Sequence, residues 1–244
     1  MGTKLSGIIV GASEGAARFA WEDAVSLAGK LEFTLNRFDP ASEVSRLVAS
    51  RDGGPHPVSA ALGELIAACN AYRERTGGLF DITKGTGGPV ALQDGNADLQ
   101  GASLDFGGIG KGWFLRGCRR ILQEAGIRDA FICFGNSSIL AMGHHPHGDS
   151  WKVSVIDPYT ADALTERALR DSSLSVSGNK PGYEGHIVDP GTGRGVTGRR
   201  VTVVESRDPA EAEALSTAAM LADTTRIGDM RRRFPDADIQ LYND

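Results

Sequence analysis

The sequence predicts an α+β fold with mixed or antiparallel sheets, and three observations carry it. Stretches with helical spacing and short hairpin-linked strands are mixed along the chain, where a parallel array would alternate them regularly. No segment repeats at a fixed period, which excludes a solenoid or propeller. The 244 residues, 41% hydrophobic and 7% aromatic, suffice for one sizeable core or two smaller intertwined ones.

Residues 4–10 alternate and read as a strand. Residues 15–36 carry Phe19, Val25, Leu27, Leu31 and Leu35 at helical spacing, and Asp39-Pro40 ends that helix because a residue before proline avoids helical backbone. Ser59 as N-cap and Gly77-Gly78 as stop frame a helix over 60–76. Residues 85–102 are rich in Gly, Asp, Asn and Gln and read as a long loop, a feature that is often functional. A strand at 103–106, a glycine turn and a helix over 110–125 follow, the helix stopping at Gly126. Strands are expected at 131–134, 138–142 and 151–156, with another antiparallel pair within 164–176. A strand at 199–205 precedes a helix opened by Asp208 as N-cap and Pro209 at its first position. A short helix near 225–233 and a strand near 237–242 complete the chain, which reads as a single domain over 1–244.

Composition excludes several classes. The net charge of −5 offers no basic face for nucleic acid, and Arg231-Arg232-Arg233 reads as a solvated helix end. Cys69, Cys118 and Cys133 have no Cys-x-x-Cys spacing and read as small core residues. No apolar run is long enough for a membrane span, and no leader is visible, so the chain as written reads as cytoplasmic. His144-His145-Pro146-His147 lies between two strands without Cys or Glu at ligand spacing and reads as a solvated hairpin loop.

Three segments carry chemistry. In His186 to Gly193 a histidine precedes a short β-like run closed by a Pro-Gly turn, which fixes the backbone and places an imidazole able to carry a proton near neutral pH. Asp105 to Gly112 is not a Walker A loop, because position 105 is Asp, nor a Gly-x-Gly-x-x-Gly loop, because position 113 is Trp. Its small residues expose N–H groups before a helix and Lys111 adds a charge, which suits an anion; a tight strand-to-helix turn with a solvated lysine fits equally. Glu213 and Thr217 share one helix face. Their oxygens suit Mg²⁺, while a helix-dipole glutamate and a threonine bonded to its own backbone is the competing reading.

Seven pieces in order give the chain a resemblance to the ApbE-like FAD:protein FMN transferases over nearly its whole length. They are Met1-Gly2-Thr3; Asn36 to Pro40 with Ser42 to Arg46; Gly78-Leu79-Phe80-Asp81-Ile82-Thr83; Asp105 to Gly112; Phe134 to Ser138; His186 to Gly193; and Glu213 to Thr217. The resemblance implies a fold related to T-folds, with FAD in a cleft between two interleaved lobes. It implies that Met1, Phe38, Leu79, Phe80, Asp81 and Ile187 border the flavin or adenine, and that Asp105 and Lys111 contact FAD. Gly108, Glu213, Ser216 and Thr217 would hold Mg²⁺, and His186 would be the base. The chain departs from the family in carrying Glu213 for the usual Asp, Arg116 for a frequent acidic residue, a short Ser177-Gly178-Asn179-Lys180-Pro181 segment and an unusual loop after Thr83.

The implied activity is transfer of FMN from FAD to a Ser or Thr hydroxyl of an acceptor protein, with release of AMP. Water attacking at the same site would make it a pyrophosphatase giving FMN and AMP, and a protein that binds FAD without turnover is the third expectation. Family members are often exported to the periplasm or lipid-anchored.

Overall fold

A computed structural model describes residues 3–243; Met1 lies outside the described residues. Eleven strands and six helices among them form an α+β architecture. The central sheet has the order β1-β5-β6-β9-β10-β11 and is antiparallel throughout. Its strands are β1 (Leu5–Val10), β5 (Asp129–Phe134), β6 (Ser138–Met142), β9 (Ser172–Gly178), β10 (Arg200–Ser206) and β11 (Asp238–Asn243).

Alternation along these strands sends side chains to two cores. Ile132 and Leu140 face α1 (Glu14–Leu35) and α4 (Gly110–Glu124), whereas Ile139, Ala141 and Leu174 face the ribbon of β7 (Trp151–Ile156) and β8 (Ala163–Leu169). A third core joins α2 (Glu43–Ala49), α3 (Ala60–Arg75), α5 (Pro209–Ala219) and α6 (Thr224–Arg233) to the small sheet β2-β4-β3. Its strands are β2 (His56–Pro57), β3 (Ala91–Gln93) and β4 (Asn96–Asp98).

The helices start where the sequence places caps: Ser59 Oγ accepts from Leu62 N at 3.2 Å and Asp208 Oδ1 from Ala210 N at 3.0 Å. On α3, Leu62, Leu65, Ile66, Cys69 and Tyr72 form one buried stripe. The stripe on α1 differs from expectation. Ala20, Ala24 and Leu31 are buried, while Phe19 and Val25 are exposed. Small residues let α1 lie close to α4, where a Cβ at Gly117 would meet Leu27 Cδ2 at 2.6 Å.

One element is added and three further expectations are corrected. Residues 43–49 form α2, capped by Ser42, whose Oγ accepts from Ser45 N at 3.0 Å. Residues 85–102 contain the β3–β4 hairpin, turned by Asp94 and Gly95 at φ 48° and 76°, the left-handed pair of a type I′ turn. Residues 103–106 form no strand and bond instead to Ile82 through Asp105 N. The strands within 164–176 do not pair with each other: β8 pairs with β7, and β9 enters the central sheet between β6 and β10.

Candidate active site

The turn before α4 is built on Asp105. Its N–H donates to Ile82 O at 2.8 Å and its Oδ1 accepts from Gly107 N at 2.8 Å, which bends the chain into the helix. The N-cap residue of α4, Ile109, offers no side-chain acceptor. The acceptor comes from α5: Glu213, 2% exposed, takes Gly112 N–H on one carboxylate oxygen and Lys111 Nζ on the other. The two helices approach this closely because position 112 is glycine; a Cβ there would lie 2.3 Å from Pro209 O. One turn along α5, Thr217 Oγ1 donates to Gly108 O at 3.3 Å.

Ser216, on the same helix, is fully buried and donates to Glu213 O at 3.0 Å. A hydroxyl has one proton, so Ser175 and Ser177 must donate into Ser216 Oγ, at 3.0 and 2.9 Å. The Ser216 hydroxyl is thereby saturated within the protein. Among the described residues no group of three His, Cys, Asp or Glu side chains gathers as a metal cluster. Gly108 O, Thr217 Oγ1 and the Glu213 carboxylate form instead an all-oxygen set, whose chemistry fits a small hard cation. Lys111 would share the Glu213 carboxylate with such an ion.

Asp105 gathers two cations on Oδ2, Lys84 Nζ and Arg37 Nη1, the latter at 3.3 Å. Burial pushes its carboxyl up, but Lys84, the Gly107 N–H and Arg37 outweigh this and hold it below the usual carboxylate range. Phe38 is 81% exposed, and the Arg37 guanidinium carbon lies 4.7 Å from its ring centre. Leu79 and Phe80 are core side chains, Phe80 packing edge-on against Tyr72 at 6.2 Å. The Asp81 carboxylate holds the following turn, accepting from Thr83 N and Thr83 Oγ1 at 2.8 Å each and lying 3.3 Å from Arg73 Nε.

His186 sits on the 179–199 segment. Asn179 Nδ2 organises that segment by donating to Val196 O and Gly198 O, both at 2.9 Å, while Ile187 O accepts from Val196 N. Asp189 closes the expected turn, its Oδ1 accepting from Gly191 N at 2.8 Å. The imidazole stacks on Tyr183 with ring centres 4.6 Å apart and planes at 28°, and Lys180 Nζ lies 5.2 Å from the Tyr183 ring centre. Burial, Lys180 and Lys84 all lower its pKa below the ordinary histidine value, leaving a neutral imidazole at pH 7. The turn after Thr83 meets this segment directly, since a Cβ on Gly85 would come within 1.9 Å of Pro190 O.

Of the expected residues, Gly108, Lys111, Glu213 and Thr217 gather at the α4–α5 contact, while Asp105 pairs with Lys84, whose neighbour Gly85 abuts Pro190 on the segment that carries His186. Arg37, Lys84 and Tyr183 were not singled out in the sequence. Tyr183 had the signal of an aromatic three residues before the histidine; Lys84 had none beyond the unusual loop. Arg116 lies about 140° around α4 from Lys111, from 100° per residue. It grips both Asp208 carboxylate oxygens and donates to Tyr72 Oη at 3.1 Å, so it ties α4 to α3 and to the cap of α5. In the hairpin loop His145 packs edge-on against Trp151 at 5.1 Å.

This is an antiparallel α+β protein with cations and oxygens gathered where two helices meet, and known proteins share its architecture. A flavin transferase ApbE from Vibrio cholerae superposes with a TM-score of 0.85 at 18% identity, over 99% of this chain and 94% of that one. The ApbE protein of Thermotoga maritima superposes with a TM-score of 0.86 at 20% identity, over 100% and 94%. In sequence, the FAD:protein FMN transferase of Salmonella typhimurium is 21% identical over 248 residues, 83% of this chain and 71% of that protein. That of Rhodobacter capsulatus is 32% identical over 127 residues, 49% of this chain and 24% of that protein. The model of the ApbE family matches residues 1–88 and 89–240, and the chain belongs to that family.

Proposed function

We propose that this protein transfers the FMN half of FAD to a Ser or Thr hydroxyl of an acceptor protein and releases AMP. The observation that carries the reading is the meeting of two loops: Lys84 pairs with Asp105 at the start of the α4 turn, and the next residue, Gly85, abuts Pro190 O on the segment that carries His186. The reading takes the His186 imidazole as proton acceptor and the α4 turn as the anion site for one substrate. The names of the sequence relatives, FAD:protein FMN transferase, support the same reading.

The acceptor hydroxyl attacks the phosphorus nearest riboflavin. A new phosphodiester bond forms there, the bond to the bridging oxygen breaks, and that oxygen leaves with AMP. His186 takes the hydroxyl proton, a role worth about 10²- to 10⁴-fold. Tyr183 holds its ring in place. Lys111 and the N–H groups at the start of α4 would balance the pyrophosphate charge, the main task in phosphoryl-type chemistry. Exposed Phe38 offers an aromatic face to one of the FAD rings.

Gly108 O, Thr217 Oγ1 and Glu213 would hold Mg²⁺, with Ser216 steadying the set through Glu213 O; a bound Mg²⁺ supplies charge neutralisation at the phosphates. The His186 ring is also exposed to water, which favours hydrolysis to FMN and AMP as the second reading. Incubation with FAD and Mg²⁺ separates the two. AMP that appears only when a hydroxyl-bearing acceptor is added supports transfer, and AMP without acceptor supports hydrolysis. No helix among the described residues is long and apolar enough to cross a membrane.

A further inference from the structure

Lys84 has a backbone that lysine rarely adopts. Its φ is 52°, in the left-handed region, which disfavours side chains with a Cβ. The turn enforces it: Lys84 N donates to Asp81 O at 3.1 Å, Gly85 N to Asp81 Oδ2 at 3.3 Å, and Thr86 N to Thr83 O at 3.0 Å. Gly85 follows at φ 77° and abuts Pro190 O. A glycine at 84 would relieve the strain, so the backbone itself does not call for lysine here. Strain of this kind concentrates at functional sites.

The side chain spans two loops. Its ammonium pairs with Asp105 Oδ2, and the adjoining Gly85 abuts Pro190 O, so the lysine stands where the turn that opens α4 meets the segment carrying the histidine. Asp105 holds Arg37 on the same oxygen. One carboxylate thus faces two cations, and the excess is positive. The Lys84 side chain remains 36% exposed, so a ligand can reach it.

We propose that Lys84 is a further substrate-binding residue, whose ammonium takes a phosphoryl oxygen of FAD next to the phosphorus under attack. The proposal rests on the FMN-transfer reading above, which puts the phosphorus between His186 and the α4 turn. Lys84 would discriminate flavins that carry a phosphate from those that do not. In the absence of substrate Asp105 holds the lysine in place.

The test compares Lys84→Gln and Lys84→Gly with the parent, using flavin fluorescence quenching by FAD and by riboflavin together with thermal unfolding. Both variants should bind FAD about tenfold or more weakly, the loss of one charge-assisted contact, and riboflavin as the parent does. Lys84→Gly should show the same loss without a lower Tm than Lys84→Gln, because glycine accepts the left-handed backbone. FAD affinity unchanged in both variants overturns the proposal. So does an equal loss for FAD and riboflavin accompanied by a fall in Tm, which would make Lys84 a structural tie. A parent protein that binds neither flavin overturns the FMN-transfer reading itself, and Lys84 with it.

Discussion

Glu213 caps α4 in trans. Its carboxylate reaches across the α4–α5 contact to pair with Lys111 on one oxygen and to accept Gly112 N–H on the other. The two methylenes of the glutamate side chain give the reach for this bridge. A metal ion held at Glu213, as proposed, would compete with Lys111 for this carboxylate.

That competition can be measured. Lys111→Ala leaves a buried carboxylate without its cation, and removing one partner of a buried pair costs about 3 kcal/mol, somewhat less here because Lys111 is partly exposed. The variant should unfold at lower temperature than the parent, and Mg²⁺ should restore more of its Tm than it does for the parent. Its FAD affinity should also fall. Glu213→Gln should remove the Mg²⁺ effect, as the charge goes while the size stays. Mg²⁺ titrations followed by thermal unfolding read both, and an Mg²⁺ response in Glu213→Gln equal to the parent's would remove Glu213 from the metal set.

His186 is expected to act as a neutral base. His186→Ala should keep FAD binding and lose transfer by about 10²- to 10⁴-fold, because the base acts on the attacking hydroxyl and not on bound FAD. Quenching titrations and initial rates separate the two effects.

The pH profile follows from the depressed imidazole pKa. The active form is deprotonated, so the rate should rise through an apparent pKa below 6.5 and level off by neutral pH. Burial depresses the pKa most, and Lys180 and Lys84 add to it. Lys180→Gln should therefore move the acid limb to higher pH. A limb that stays in place would show that Lys180 does not face the base.

Two substitutions test the frame around the site. Gly112→Ala drives a Cβ into Pro209 O, a backbone atom that cannot step aside, and should cost about 1–3 kcal/mol of stability in urea unfolding. Arg116→Ala removes a two-pronged grip on Asp208 and should lower stability by about 1 kcal/mol, given its partial exposure, with FAD affinity unchanged.

Much of this was legible in the chain. Ser59, Gly126 and the Asp208-Pro209 pair announce helix ends, and the spacing of Glu213 and Thr217 puts them on the face that meets α4. The three-residue strands β3 and β4 are too short to show alternation, and only Asp94-Gly95 marks their hairpin. The α1 stripe departs from the spacing of its large side chains because Ala20, Ala24 and Leu31 are the buried positions, while Phe19 and Val25 face solvent. Lys84 was invisible for a different reason. Its role comes from a backbone angle and from two loops meeting, at Gly85 with Pro190, that local pattern does not encode.

The central claim is that FMN moves from FAD to a hydroxyl, and mass spectrometry tests it most directly. The purified protein would be incubated with FAD, Mg²⁺ and a pool of Ser- and Thr-containing peptides, and the peptides, FMN and AMP quantified together. The account predicts peptides heavier by FMN less one water, joined through a phosphodiester, in amounts equal to the AMP released, and formed about 10²- to 10⁴-fold more slowly with His186→Ala. Free FMN and AMP without a peptide adduct, or FAD left intact, would contradict it.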